Sequence, residues 1–571
     1  MKSFKDKLTA ESGIQTCLRW LLAGAILVNI KSIFTDYDID TGYAVVMSYR
    51  NLLGDHMLTQ MWEPHQTSAF LTTFLMWCYY SIIGSWSSVV IFLHTVGVLL
   101  QGIMCMAVYK VLAKRINPVA VSLMCLFLSA FRPKGIVFPE FSNMAIGFSV
   151  FLFVCLLLFF EDQRKTRWLI AASVCLGLQV ISYPSCLVVY FFVVATLVLY
   201  TDKKLINAVL FTVSCLIQGL AYILFFVHRV GLGGLISGMR NILEADSTHG
   251  NTMYGAALYL EFLFRGGQWL AACLLCTLLI ESIVCIVEIR KNGKASIKKK
   301  VRNQFITIFS LTVFISEVVI SLIYRDKFSY IVVFFVIMLF GVFGLRYCSL
   351  LEKQIYVVGM LLSSGCFLAV FLLTNLDILS VAAYLVLAVM VSFLPIARWI
   401  YVNKTMNVLL LFCAMVIMHR GLIVKTIDSV PSNIFDLQGI IRSGPAVGIV
   451  TCYMGAYEEA CDIEDWDTYI VPGDTLLLVG NDALYAVPYM YKNVSVSAHS
   501  TISTPTYDEM LLKYWEENPE KFPNVIAVSC WYGELHIEED SWIYQWIQEE
   551  FQPSTYNDGR YWRFYRLEES Q

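Results

Sequence analysis

Charge is scarce in this sequence. Only 15% of its 571 residues are Asp, Glu, Lys or Arg, against 58% hydrophobic residues and a mean hydropathy of +0.64. A soluble globular chain does not keep that balance. The net charge of -3 lacks the basic excess that phosphate backbones attract, so no nucleic-acid partner is expected. Also missing are an internal repeat, a low-complexity linker and a small-residue cleavage pattern ahead of the first acidic cluster. The apolar run 14–34 therefore reads as an uncleaved first helix and not as a removable signal.

Positive charge is missing unevenly. Residues 1–424 hold 33 Lys+Arg and 20 Asp+Glu, whereas the remaining 147 hold 8 and 24, which places the two parts in different surroundings. Apolar stretches lie at 14–34, 87–111, 117–131, 141–160, 168–182, 186–200, 205–227, 270–289, 304–323, 329–345, 355–374, 378–397 and 405–424. Letting each cross in turn puts Arg164, Lys165 and Arg167, Lys203 and Lys204, the basic run 290–302, Arg346 with Lys353, and Arg398 with Lys404 on the side of the basic N-terminus. That side is the cytoplasm by the positive-inside rule.

The expected fold is thus a polytopic α-helical membrane protein of about 13 spans with a small extracytoplasmic α/β C-terminal domain. Residues 1–424 form the transmembrane part, with a first external loop at 35–86, and residues 425–571 form the soluble domain. A second long external loop is expected at 228–269. In the tail, β-rich runs at 447–451, 475–479, 524–529 and 561–566 alternate with helical patterns at 507–517 and 541–551. Of the 17 cysteines, all but Cys452, Cys461 and Cys530 lie in or beside the apolar part, where a thiol behaves as a small hydrophobe. The tail's three allow at most one bridge, with Cys452 to Cys461 the first pairing to consider and no bridge the alternative.

The first external loop is the most polar stretch near the start of the chain. Asp36, Asp38 and Asp40 follow the first apolar run, and Glu63 and His65 return before the next. Residues 43–53 have amphipathic helical spacing, stopped by Gly54-Asp55, and are expected to lie in the interface, with 67–83 in the same external layer. An Asp at a helix start is an ordinary cap. A carboxylate beside a membrane is equally suited to take the proton from a hydroxyl or amine that attacks a lipid-linked donor.

Such a donor leaves as a phosphate, which calls for fixed cations. The external candidates are Arg132 and Lys134, Arg265 before Gly266-Gly267, and Arg325 with Lys327; each also reads as a side chain snorkelling to headgroups. Glu63 and His65, two positions apart, are a weak pattern for a divalent metal, and Glu63-Pro64 more often opens a helix, so a positioning role is preferred. Glu140 with Asn143 reads equally as a cap or as site lining. Glu317 calls for a buried partner, and His94 for a packed, hydrogen-bonded place in its helix.

These features resemble the GT-C superfamily of membrane glycosyltransferases, particularly the protein O-mannosyltransferases and the aminoarabinose transferase of lipid A. The matching residues are Asp40-Thr41-Gly42-Tyr43 opening the loop, Gly54-Asp55 ending its helix, Glu63-Pro64-His65-Gln66 leading into an apolar helix, and the turn Ile83-Gly84. The resemblance implies transfer of a sugar, with inversion, from a polyprenyl-phosphate donor to a glycan, lipid or protein acceptor on the extracytoplasmic side of the bilayer. It gives the role of general base to Asp40. Thr41 stands where relatives carry Glu, which keeps Asp38 as the reserve, and Tyr43, Glu63, His65 and Glu140 become site-lining candidates. Beyond about the first hundred residues the match is one of architecture. The alternative function is a transporter or flippase of a lipid-linked glycan. It requires paired broken helices and repeated hydropathy, and the sequence shows neither. A receptor whose spans only anchor the tail is a third possibility, for which 13 spans are excessive.

Overall fold

A computed structural model describes residues 2–35, 39–63, 65–131, 137–246, 252–292, 297–320, 322, 329–374, 381–403, 407–424, 432–442, 444–452, 463–479, 493–498, 505–531, 534–535, 537, 539–553 and 562–567. Fifteen helices among these residues build the first part of the chain. They are α1 (Lys2–Phe34), α2 (Ile39–Leu53), α3 (Ala69–Ile83), α4 (Val89–Leu112), α5 (Pro118–Ala130), α6 (Phe141–Glu161), α7 (Arg167–Ser182) and α8 (Val189–Tyr200). Then come α9 (Lys204–Asp246), α10 (Thr252–Asn292), α11 (Ile297–Val319), α12 (Ser329–Gly344), α13 (Leu350–Leu373), α14 (Val386–Asn403) and α15 (Asn407–Leu422). A helix lies on each of the thirteen apolar stretches.

Local chemistry sets several helix ends. Asn117 accepts from Val119 N at 2.8 Å with Pro118 in the first turn of α5, and Ser349 with Glu352 forms a capping box at the start of α13, so amide donors that a helix start leaves open are satisfied. Six helices are long and apolar enough to cross a membrane, and six shorter apolar ones accompany them among the described residues. At about 1.5 Å per residue the 13 residues of α5 fall short of a bilayer core of about 30 Å. Its burial against the bundle, from Ala120 through Ala130, explains the shortness. In contrast, α9 shows Leu205, Val209, Leu216, Leu220 and Leu224 to the outside, as a helix bordering lipid does. The chain is a polytopic α-helical membrane protein.

One expectation is overturned. Residues 228–269 are not a long loop, because α9 continues past a kink at Gly231 (φ 75°) to Asp246 and α10 already begins at Thr252. Beyond the kink, Leu232, Ile236, Met239 and Leu243 are exposed while Leu235 and Asn241 are buried. The polar residues between them follow a helical period that reads locally as a loop.

The C-terminal part is a small α/β unit. Two short ladders come first, β1 (Ile423–Val424) with β2 (Ser432–Asn433) and β3 (Gly439–Ile440) with β4 (Val450–Thr451). A mixed sheet follows from β5 (Thr475–Val479), β6 (Ser495–Val496), β7 (Val525–Trp531), β8 (Glu534–Leu535), β9 (Phe551–Pro553) and β10 (Trp562–Leu567) in the order β6-β5-β7-β10-β9, with β8 on β7. β6, β5 and β7 run parallel; β10 pairs antiparallel with β7 and β9. Helices α16 (Ile463–Tyr469), α17 (Pro505–Glu517) and α18 (Trp542–Glu550) complete the unit.

Alternation along the strands sends Leu476, Leu478, Val525 and Ala527 to one face, and Leu477, Val479, Ile526 and Val528 to the other. The second face is covered by α17 and α18 through Leu511, Trp515, Ile543 and Ile547. The first closes on Trp466 and also on Ala44, Val45, Val46 and Tyr49 of α2 and Val89, Val90 and Leu93 of α4. A sheet covered on both faces reads as a continuous apolar run, as Thr475–Val479 does. The interfacial helix expected at 43–53 is therefore not half-wet: both its sides are buried, because the tail's sheet lies on it. Cys452 is buried against Asn433 O, and Cys461 lies outside the described residues.

Asp474 pins the start of β5. It accepts from Val471 N at 2.8 Å, from Arg566 Nη2 at 2.8 Å and from Asn524 Nδ2 at 3.1 Å. Burial alone pushes its carboxyl up, but Arg566 and the backbone donor outweigh burial and hold it below the ordinary 3.8. A depressed carboxylate contributes stability that is present above that ordinary value and is lost as pH falls through the lower folded one. Replacing Asp474 by Asn should cost about 1 kcal/mol, Arg566 being partly screened by water. It should also flatten the acid limb of a tryptophan-fluorescence unfolding curve.

Candidate active site

The start of α2 carries Asp40. It is half-buried in the helix's first turn, where a carboxylate is favoured by the helix dipole. Asp36 and Asp38 lie outside the described residues. One turn on, Tyr43 shares the face of Asp40 and meets Phe141 edge-on at 6.2 Å between centroids. Phe141 stacks on His65 at 4.4 Å, and His65 lies against Tyr183 at 4.5 Å. Tyr183 in turn meets Tyr384 edge-on at 5.6 Å, and the Tyr384 hydroxyl donates to Ser142 Oγ at 3.2 Å. Tyr43, His65, Phe141, Tyr183 and Tyr384 thus form one aromatic wall, which Tyr43 joins to the turn of α2 that carries Asp40; it is drawn from α2, the loop after it, and the near ends of α6, α7 and α14.

Glu140 stands at the edge of this wall as the N-cap of α6. It is 1% exposed, and its two carboxylate oxygens accept from Ser142 N at 2.7 Å and Asn143 N at 2.6 Å. The cap and the lining place coincide. Thr67 Oγ1 donates to Ile181 O at 2.6 Å and Thr72 Oγ1 to Pro139 O at 3.0 Å, locking the loop's exit into α3 against α6 and α7.

Between Asp40 and His65 the loop makes a buried charge cluster. Gly54, with φ 100°, reverses the chain in a conformation that suits Gly. Asp55 N then donates to Arg50 O at 3.0 Å. Arg50 Nε donates to Asp55 Oδ2 at 2.7 Å, Arg50 Nη1 stands 3.6 Å from Glu63 Oε1, and Arg50 Nη2 donates to Tyr514 Oη at 2.9 Å. Lys521 Nζ donates to the other Asp55 oxygen. All four charged side chains are less than a tenth exposed, and their charges balance.

The cluster moves its members' ionisation. Burial pushes Glu63 up against the pull of Arg50. It pushes Lys521 down against the pull of Asp55, and Tyr514 up to about 12. Burial opposes the charge on Arg50, yet Tyr514, Asp55 and Glu63 raise it further.

The sequence-predicted residues divide accordingly. Asp40, Tyr43, His65 and Glu140 are brought to one place, and Glu63 faces Arg50. Among the described residues no group of three or more His, Cys, Asp or Glu stands together as a metal would need; His65 stacks while Glu63 pairs. Arg265 is on the exposed side of α10, 2.6 Å from Glu261 one turn earlier, and not at a loop end. Arg132, Lys134, Arg325 and Lys327 lie outside the described residues, as does the side chain of Glu317. His94 is fully buried with Nδ1 3.1 Å from Ile33 O. Sequence reasoning missed Arg50, Lys521, Tyr514, Phe141, Tyr183 and Tyr384. Gly54-Asp55 was the one local hint, as an acid placed just after a helix stop.

Fold and site define a class: a polytopic helical membrane protein whose small C-terminal α/β unit closes over a polar first loop. No protein-family profile matches the chain, and no curated protein does. Among solved structures it is similar to ArnT from Cupriavidus metallidurans in the apo state, at 12% identity and a TM-score of 0.43 over 97% of this chain and 98% of that one. It is similar in the same degree to ArnT bound to undecaprenyl phosphate, at 12% identity and 0.43 over 96% and 98%. The Archaeoglobus fulgidus oligosaccharyltransferase tethered to an acceptor peptide is similar at 11% identity and 0.40, over 89% of this chain and 69% of that one.

Proposed function

We propose that this chain is an inverting glycosyltransferase that moves a sugar from a polyprenyl-phosphate donor to an extracytoplasmic acceptor. The observation that carries the reading is the placing of Asp40, half-buried in the first turn of α2 and one turn from Tyr43, which leads into the linked rings of Phe141, His65 and Tyr183. Residues 1–424 carry the reaction, and residues 425–571 form the domain that covers it. The N-terminus is cytoplasmic in this scheme. Its support is that basic residues gather at the end of the bundle away from Asp40, where Arg115 pairs with Glu161 and Arg398 with Glu352 at 2.6 Å, as the positive-inside rule expects of the cytoplasmic side.

In the reaction, Asp40 takes the proton of an acceptor hydroxyl or amine as that atom attacks the anomeric carbon. The attack comes from the face opposite the phosphate, the bond from carbon to phosphate oxygen breaks, and the configuration inverts. The leaving polyprenyl phosphate takes the electron pair, and Arg132, Lys134, Arg265, Arg325 and Lys327 are the cations proposed to receive it. Asp38 is the second candidate for the base. His65, Phe141 and Tyr183 cover one another's faces and are proposed to brace the end of the first loop beside the base.

Membranes containing the protein, given a radiolabelled polyprenyl-phosphate sugar, should pass label to a water-soluble or lipid acceptor, and membranes lacking it should not. Transfer from no tested sugar, together with movement of a fluorescent lipid-linked glycan across proteoliposomes, would assign the chain to transport instead.

A further inference from the structure

The loop from Gly54 to Gln66 joins the two ends of the site, since α2 with Asp40 enters it and His65 leaves it. Its middle is held by the far end of the chain. Tyr514 Oη accepts from Arg50 and donates to Gln60 O at 2.8 Å; Asn518 Nδ2 donates to Thr59 O at 3.1 Å; Gln60 Nε2 donates to Glu520 Oε1 at 2.7 Å. Lys521 takes the remaining oxygen of Asp55 and also donates to Ser495 Oγ at 2.9 Å. The Tyr514 ring packs edge-on against Trp62 at 5.2 Å.

The opposite side of the loop is held by α9. A Cβ at Gly238 would come within 2.3 Å of Leu58 O and one at Gly234 within 3.2 Å of Thr59 Cγ2, so only glycine at 238 allows this approach. Leu58 itself sits at φ 74°, a strained backbone for a branched side chain that its surroundings must impose. α9 is tied back to α17 by Asn241 Nδ2 to Glu517 Oε2 at 2.8 Å and Lys513 Nζ to Glu244 Oε2 at 2.7 Å. The loop is gripped on both faces, and the two grips are fastened to each other.

We propose that the C-terminal domain is a clamp on the first loop, and that Lys521 and Tyr514 are positioning residues for the transfer reaction: through Asp55 and Arg50 they fix α2, and with it Asp40, beside the aromatic wall. Apolar packing of the sheet on α2 already supplies adhesion. Buried ion pairs add little stability beyond what apolar residues would, and they serve better to fix register. Among the described residues, the ion pairs buried on both partners all converge on the one segment whose ends carry site residues.

This inference rests on the transferase reading for its activity arm but not for its structural arm. The test uses the full-length protein in detergent, with Lys521→Met, Lys521→Arg and Tyr514→Phe. The last keeps the ring on Trp62 and removes only the hydroxyl's two hydrogen bonds. Two readouts are taken below the melting temperature of every variant: amide hydrogen exchange across residues 39–63, and kcat and KM for a radiolabelled polyprenyl-phosphate sugar. Lys521→Met and Tyr514→Phe should each speed exchange in α2 and lower kcat by about tenfold or more, as misplaced catalytic groups do, with donor KM little changed. Lys521→Arg should restore most of both. If Lys521→Met fails to fold, Tyr514→Phe decides. A variant that merely melts earlier, with α2 exchange and kcat as in the wild type, overturns the clamp. If the wild-type protein transfers no sugar, the transferase reading fails by itself, and exchange in α2 decides the clamp: faster exchange upholds it and unchanged exchange overturns it.

Discussion

Asp40→Asn should lower kcat for sugar transfer by about 10²- to 10⁴-fold, the usual contribution of a positioned general base, while the protein folds as before. The substitution is isosteric and loses only the carboxylate's favourable place in the first turn, about 0.3–1 kcal/mol, so α2 and the aromatic wall beside it stay in place. Donor binding, measured by equilibrium exchange of labelled lipid, should therefore change little, and the loss should fall on kcat. Asp38→Asn is the control, with a smaller loss expected. A reversed order would hand the role of base to Asp38, and full activity in both purified variants would remove the acidic cluster from the mechanism.

Arg50→Met should be the most destabilising single change in the first loop. Arg50 is 1% exposed and faces Asp55, Glu63 and Tyr514. Its removal leaves two buried carboxylates with Lys521 as their single cation among the charges of the cluster. Removing one member of a buried pair typically costs about 3–5 kcal/mol, because the partner stays behind uncompensated. Glu63, already pushed up by burial, should then take a proton at a higher pH. The destabilisation should accordingly be smaller in acid than at neutral pH, in a fluorescence-detected melt. Arg50→Met combined with Asp55→Asn should recover part of the loss, since it restores balance; a double variant as unstable as the sum of the singles would argue against charge as the cause.

The membrane helices were legible because their signal is local. Apolar length and the side on which Lys and Arg fall are read within one segment, and a helix lies on each expected stretch. The tail's main strands were legible for the same reason: short apolar runs bounded by Gly, Pro, Asp or Asn mark 475–479 and 524–529 without knowledge of their neighbours. Residues 228–269 differ from the expected loop because Gly231, Gly233 and Gly234 look like loop punctuation, whereas Gly231 only kinks the helix and Gly238 lets the backbone of Leu58 come close. Of the site, Asp40, Tyr43, His65 and Glu140 were visible as polar or aromatic residues at element ends. Phe141, Tyr183 and Tyr384 were not, since a lone ring beside an apolar run looks like any other core residue. Arg50 was hidden most completely. In sequence it is one polar position on an amphipathic helix, and its partner Tyr514 lies 464 positions away.

That distance also has a meaning in time. Asp55 and Lys521 are 466 positions apart. At a synthesis rate of about 5–20 residues per second, the nascent chain waits roughly half a minute or longer before the second partner exists. Through that interval the membrane helices are made while Asp55 lacks its lysine and Arg50 its tyrosine. The first loop reaches its final shape only when nearly the whole protein has been translated, so a chain that stalls or is cut before Tyr514 leaves in the membrane a helical bundle with an unfinished site.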